Sequence, residues 1–175
     1  MVSEAVDQGV GSQPVVVPIQ VSRRIEAPAS AVFRILADPT MHTELDGSGM
    51  LRGAVTSNSP TAEGDVFVMK MYFSEIGDYE MNNHVVEFEQ DRRIGWEPVD
   101  GAGHPNQGTR MGHRWSFVLD PDGRDATLVT EVYDCSQSPE EFRVGMDNGR
   151  MWIESMMATL ERLDQIATRD SIDSC

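Results

Sequence analysis

Positive charge is the first shortage: 14 Lys plus Arg stand against 29 Asp plus Glu in 175 residues, a formal net charge of -15. A surface field of that sign repels phosphate backbones and anionic headgroups, which argues against nucleic acid as a partner. Cysteine is almost missing. The two present, Cys135 and Cys175, make no disulfide framework, the second lying in a polar run at the C-terminal end. No stretch approaches the roughly 18 consecutive apolar residues of a membrane span, and no basic segment leads into an apolar one at the N-terminus. A cytoplasmic protein without membrane insertion is the expectation. There is no Gly-x-Ser-x-Gly elbow, and the glycine-rich stretch from Gly101 to Gly108 has neither the lysine nor the helix start of a phosphate-binding turn. No cofactor is expected.

What remains suits one domain, long enough to bury a core unaided. Residues 1–14 mix polar residues and glycine without a period and read as a disordered arm; 15–168 form the domain, and 169–175 a flexible tail. A β-branched run from Val15 to about Ile25 reads as a strand. Pro28 to Asp38 places Val32, Phe33, Leu36 and Ala37 at helical spacing and stops at Pro39, and a second short helix is expected over Pro39 to Leu45. Six strand-like runs come next, separated by turn signals: Met50 to Ser57, Asp65 to Ser74, Tyr79 to Glu89, Arg93 to Pro98, Thr109 to Leu119 and Ala126 to Cys135. Such a succession predicts a meander. Ser138-Pro139-Glu140-Glu141 carries a capping signature for a helix start. From Met151, the recurrence of Trp152, Met156, Leu160, Leu163 and Ile166 predicts one long packed helix.

Alternation assigns the inner faces. Met111, His113, Trp115, Phe117 and Leu119 share one face, and Phe67, Met69, Met71 and Phe73 share another. A three-residue hairpin over Pro121-Asp122-Gly123 places Asp120 across from Arg124, which by counting sets Phe117 opposite Thr127, Trp115 opposite Val129, His113 opposite Glu131 and Met111 opposite Tyr133. Eleven methionines suit an adaptable apolar pocket, and equally an ordinary core that happens to use Met.

The order of elements resembles the START-like superfamily, which includes Bet v 1 allergens, polyketide cyclases and lipid-transfer domains. The resemblance rests on Arg24 to Phe33 (RIEAPASAVF) with Leu36-Ala37-Asp38-Pro39, on Val85 to Glu89 (VVEFE) with Arg93-Ile94-Gly95-Trp96, and on the terminal helix with Trp152, Met156, Leu160 and Leu163. His42 to Gly49 (HTELDGSG) is similar to a subgroup labelled cyclase/dehydrase or lipid-transport-like. Together these cover about residues 18 to 168. The resemblance implies an α+β helix-grip fold: a seven-stranded curved antiparallel sheet around the C-terminal helix, two small helices after the first strand, and a ligand cavity between sheet and long helix.

Binding of a small hydrophobic or aromatic metabolite is therefore the expected function, by a monomer or homodimer. Met41, Leu45, Phe67, Met69, Met71, Phe73, Trp96, Trp115, Phe117, Met146, Trp152 and Met156 would line the cavity. The alternative is a cyclase or dehydratase with His113 as general base, Glu131 raising its pKa and Tyr133 polarising a carbonyl. The same three groups would otherwise satisfy one another or orient a ligand. His42, Glu44 and Asp46 offer ligand atoms, but helical spacing turns two of them apart, so no metal site is expected. His84 has polar neighbours in both phases, which leaves its face open.

Overall fold

The computed structural model describes residues 16–173, with side chains to Arg169; the arm over 1–14 lies outside the described residues. Strand β1 (Ile19–Ile25) leads through Pro28 into helix α1 (Ala29–Leu36), which buries Val32, Phe33, Ile35 and Leu36. Pro39 then opens a single 3-10 turn (Pro39–Met41), capped by the Asp38 carboxylate accepting from the Thr40 amide at 2.9 Å, and α2 (His42–Leu45) follows without a break. Six strands form the meander: β2 (Leu51–Ala54), β3 (Val66–Phe73), β4 (Gly77–Glu89), β5 (Arg93–Asp100), β6 (Arg114–Pro121) and β7 (Thr127–Asp134). The sheet has seven antiparallel strands in the order β1-β7-β6-β5-β4-β3-β2, so the first strand docks on the last. Helices α3 (Glu140–Gly145) and α4 (Ile153–Asp173) complete the chain, α4 continuing through residues 169–173.

Between these helices a short helical stretch (Asp147–Trp152) turns sharply, with Asn148 at φ 50° and Gly149 at φ 90°. That left-handed pair divides the two helices, and glycine supplies it at least cost. A Cβ at Gly149 would also lie 2.6 Å from the Tyr133 ring. The capping signature at Ser138 is not realised: Pro139 holds the N-cap position, and the Ser138 hydroxyl is buried without a partner.

Two expectations for the β6–β7 hairpin are overturned. First, β6 starts at Arg114, and of the preceding residues Thr109 to His113 only Arg110 makes a bridge, to Val99. Gly112 takes φ 73° where the chain passes against the Gln137 backbone, 2.8 Å from a would-be Cβ, and this kink ends the strand. Second, the turn sits two residues later than Pro121 suggested. Asp122 donates its amide to the Ala126 carbonyl at 2.8 Å, leaving Gly123, at φ 81°, Arg124 and Asp125 as the loop. Pro121 instead ends β6 opposite Thr127. Phe117 therefore faces Glu131, Trp115 faces Tyr133 and Leu119 faces Val129; His113 has no ladder partner, and Glu131 is not across from it.

Three apolar clusters hold the elements together. The largest joins α1 and α4 to the sheet through Phe33, Leu36, Ile94, Leu119, Val129, Leu160 and Leu163. A second centres on Phe67, Met69 and Val85 of β3 and β4, and a third on Tyr133, Cys135 and Met156.

Candidate cavity and its polar groups

The three clusters meet through shared residues, Phe88 and Trp96 between the first and second and Val21 between the first and third. Each gives walls to a cavity of about 220 Å³ between the inner face of the sheet, α2 and α4. Leu45, Phe67, Met69, Met71, Trp96, Trp115, Phe117, Trp152 and Met156 line it, as do His113 and Glu131. All three tryptophans of the chain are therefore in its wall. Three residues expected there are elsewhere. Met41 packs on the main core from the 3-10 turn. Phe73, 41% exposed, closes β3 opposite Gly77 at the hairpin turn. Met146 ends α3 on the far side of the kink at Asn148-Gly149.

The alternation of β7 buries Glu131, 4% exposed, and its Oε2 has no hydrogen-bond partner. Burial, with a smaller contribution from the Asp46 carboxylate, drives its pKa well above the ordinary carboxylate range. His113 lies just before β6, its ring stacked on Phe142 at 5.1 Å and tilted against Tyr133 at 5.8 Å. Its Nδ1 is buried without a partner, and burial lowers the imidazole pKa to about 4 against a weak opposing pull from Glu97. The expected rise, caused by a facing Glu131, is absent because the register places Glu131 opposite Phe117. Tyr133 is not in the cavity wall. It is 1% exposed, packed against Trp115 with ring centroids 4.5 Å apart, and burial raises its pKa.

Polar groups beyond His113 and Glu131 also belong to the wall. His42 is buried, its Nε2 donating to the Leu36 carbonyl at 2.8 Å, its ring stacked on Trp96 at 5.4 Å and edge-on to Phe67 at 5.3 Å. Desolvation keeps its pKa below the usual imidazole value. Asp46, Ser48, Asn83, Tyr79, Ser155 and Thr159 also border the cavity. Asp46 organises one rim: its carboxylate accepts from the Ser48 amide at 2.8 Å, the Ser48 hydroxyl at 2.6 Å and the Leu51 amide at 2.8 Å. Gly47 presses against α4, its amide donating to Thr159 Oγ1 at 3.1 Å. Tyr79 meets the glycine-rich loop through His104, whose Nδ1 lies 3.3 Å from Asp100 Oδ2. His84 is on the opposite face from its buried neighbour Asn83, paired with Glu97 across β5. Among the described residues no group of three or more His, Cys, Asp or Glu could hold a metal ion, and no helix is long and apolar enough to cross a membrane.

This architecture recurs in solved structures. A protein of Mycobacterium smegmatis superposes with a TM-score of 0.64 at 15% identity, over 91% of this chain and 96% of that one. One of Nitrosomonas europaea gives 0.65 at 14%, over 91% and 99%. The Zhui aromatase/cyclase of Streptomyces sp. R1128 gives 0.58 at 13%, over 87% and 94%. The chain has the START/Bet v 1-like fold. At these identities the likeness extends to the START-like architecture alone. No protein-family model matches the sequence. An uncharacterized protein of Mycobacterium tuberculosis is 34% identical over 119 residues, 67% of this chain and 48% of that protein, so the chain spans about half the length of the curated relatives it matches.

Proposed function

We propose that the chain binds a small apolar or aromatic molecule in the cavity between the sheet and α4. The observation that carries this reading is the character of the wall: aromatic rings and thioethers around about 220 Å³, with buried polar atoms that no protein group satisfies. An ordinary core would have filled such a volume, since interiors pack to crystal-like density. Apolar cavities of roughly 150 Å³ already accept benzene. Nine side chains anticipated as ligand contacts border this space, and Met69, Met71 and Met156 give it the adaptability of flexible thioethers. The experiment is native mass spectrometry of the purified protein, followed by titration with aromatic compounds under tryptophan fluorescence. A co-purifying apolar molecule, or saturable change in emission from Trp96, Trp115 and Trp152, is expected. A protein that carries nothing and whose emission responds to no member of the panel would refute the reading.

A second reading, a cyclase or dehydratase with His113 as general base, is favoured by the unpartnered, buried Nδ1 in the cavity wall. The fold shared with an aromatase/cyclase is compatible with it. Two features weigh against it. An imidazole of pKa about 4 provides little driving force for proton abstraction near neutrality, and Tyr133 stands behind the wall rather than in it. Glu131, which borders the cavity and whose pKa burial raises, suits the role of an acid better than His113 suits that of a base. His113→Ala separates the readings: binding altered without loss of any turnover supports the carrier, whereas a conversion slowed by about 100-fold with substrate still bound supports the enzyme.

A further inference from the structure

The cavity wall has a charge pattern that restricts what can enter. Its two carboxyl groups, Asp46 and Glu131, are accompanied by no Lys or Arg. Its two imidazoles are His42, whose Nε2 is committed to the Leu36 carbonyl, and His113, stacked on Phe142 and tilted against Tyr133. A carboxylate ligand would therefore surrender its hydration shell, face acidic groups and find no cation. Burying an unpaired charge is among the most expensive changes available to a protein, so such a ligand is strongly disfavoured.

A purely hydrocarbon ligand is also a poor fit, because it leaves Glu131 Oε2 without a partner. A buried carboxyl with no cation beside it favours its protonated form and can then donate. Glu131 borders the cavity. A donor without an acceptor calls for a ligand oxygen.

Resting on the reading of the cavity as a ligand site, we propose that it takes an uncharged apolar molecule bearing a ketone, phenol or alcohol oxygen, in preference to a carboxylate, and that Glu131 holds that oxygen as a hydrogen-bond donor.

The test compares one apolar body with three substituents by titration calorimetry: naphthalene, 2-acetylnaphthalene and 2-naphthoate. The ketone is expected to bind about tenfold more tightly than the parent hydrocarbon, the gain of roughly one well-made buried hydrogen bond, and the carboxylate more weakly than either. Glu131→Gln, which retains a neutral donor, should keep the preference for the ketone. Glu131→Leu should abolish it while naphthalene still binds, and that binding doubles as the check that the variant is folded. Carboxylate binding as tight as the ketone, or a ketone preference that survives in Glu131→Leu, overturns the inference while leaving the cavity reading intact. If none of the three compounds binds the wild-type protein, the cavity reading fails and the inference with it. The head-group comparison in the wild-type protein tests the ligand class independently of either variant, and the Glu131 variants test the donor.

Discussion

Gly47→Ala tests whether the rim of the cavity is packed as described. A Cβ at this position would lie 2.0 Å from the Ser155 carbonyl oxygen and 2.9 Å from the Thr159 amide nitrogen, both backbone atoms of α4. Carbon and oxygen ordinarily approach no closer than roughly 3.3 Å, so the loop or the helix must move by more than ~1 Å. No flexible side chain can absorb that shift. The movement opens the 3.1 Å bond from the Gly47 amide to Thr159 Oγ1, a loss of about 1 kcal/mol, and adds overpacking strain of about 1–3 kcal/mol. A total near 2–4 kcal/mol should lower the urea midpoint by roughly 1–2 M, given a slope of about 2 kcal/mol per M. Because Asp46, Ser48, Ser155 and Thr159 all border the cavity, affinity for an aromatic probe should fall as well. Gly145→Ala is the control: a Cβ there meets nothing within 4 Å, and a helical glycine replaced by alanine should be neutral or stabilising by up to about 1 kcal/mol. An unchanged midpoint for Gly47→Ala would show that α4 does not lie against this loop.

Stability should also depend on pH in a way that identifies the buried groups. The folded-state pKa of His113 is lowered from 6.5 to about 4, so the unfolded chain takes up the proton first and stability should fall as pH drops through that window, by at most about 3 kcal/mol from this group. His42 acts in the same direction, and His113→Phe should flatten the acid limb in chemical denaturation. Glu131 acts oppositely: its raised pKa means the folded state holds a proton that the unfolded chain loses, so stability falls as pH rises above 4.5 towards its folded value, and Glu131→Gln should remove that part. Gly149→Ala combines a φ of 90° with a 2.6 Å approach to Tyr133 and should destabilise by about 2 kcal/mol or more; a melting temperature equal to wild type would refute the described kink.

Most of the architecture was legible because it rests on local periodicity. Strand alternation, the Pro-bounded helix α1 and the three-to-four spacing in α4 are properties of neighbouring residues, and each produced its element. Register is a different kind of quantity. A proline before Asp122-Gly123 is good chemistry for a turn, yet the chain turns on Gly123 itself and leaves Pro121 at the end of β6. That moves the centre of the turn by two residues and every partner by four, an even number. All cross-strand pairs expected from the sequence were therefore wrong, while the inner-face assignments of Trp115, Phe117 and Glu131 survived. The setting of His42 is illegible for another reason: Trp96 and Phe67, which hold its ring, come from distant strands, and nothing in the surrounding residues announces them. For Phe73, strand alternation runs on to the point at which the hairpin turn opposite Gly77 redirects the chain.

The docking of β1 against β7 has a consequence for how the chain folds. Ile19 pairs with Tyr133, and the Thr127 hydroxyl reaches back to the Ala27 carbonyl 100 residues earlier. Contacts of that span are slow to form, because the loop must close before any of them contributes. On a ribosome adding about 5–20 residues per second, the first strand is made several seconds to some twenty seconds before its sheet neighbour β7 exists. Throughout that interval its backbone donors and acceptors are open to other chains, and β7, once made, is briefly an open edge as well. Arg23 and Arg24, both in β1, place positive charge on that waiting strand. They make it a poor template for a second copy of itself until β7 arrives.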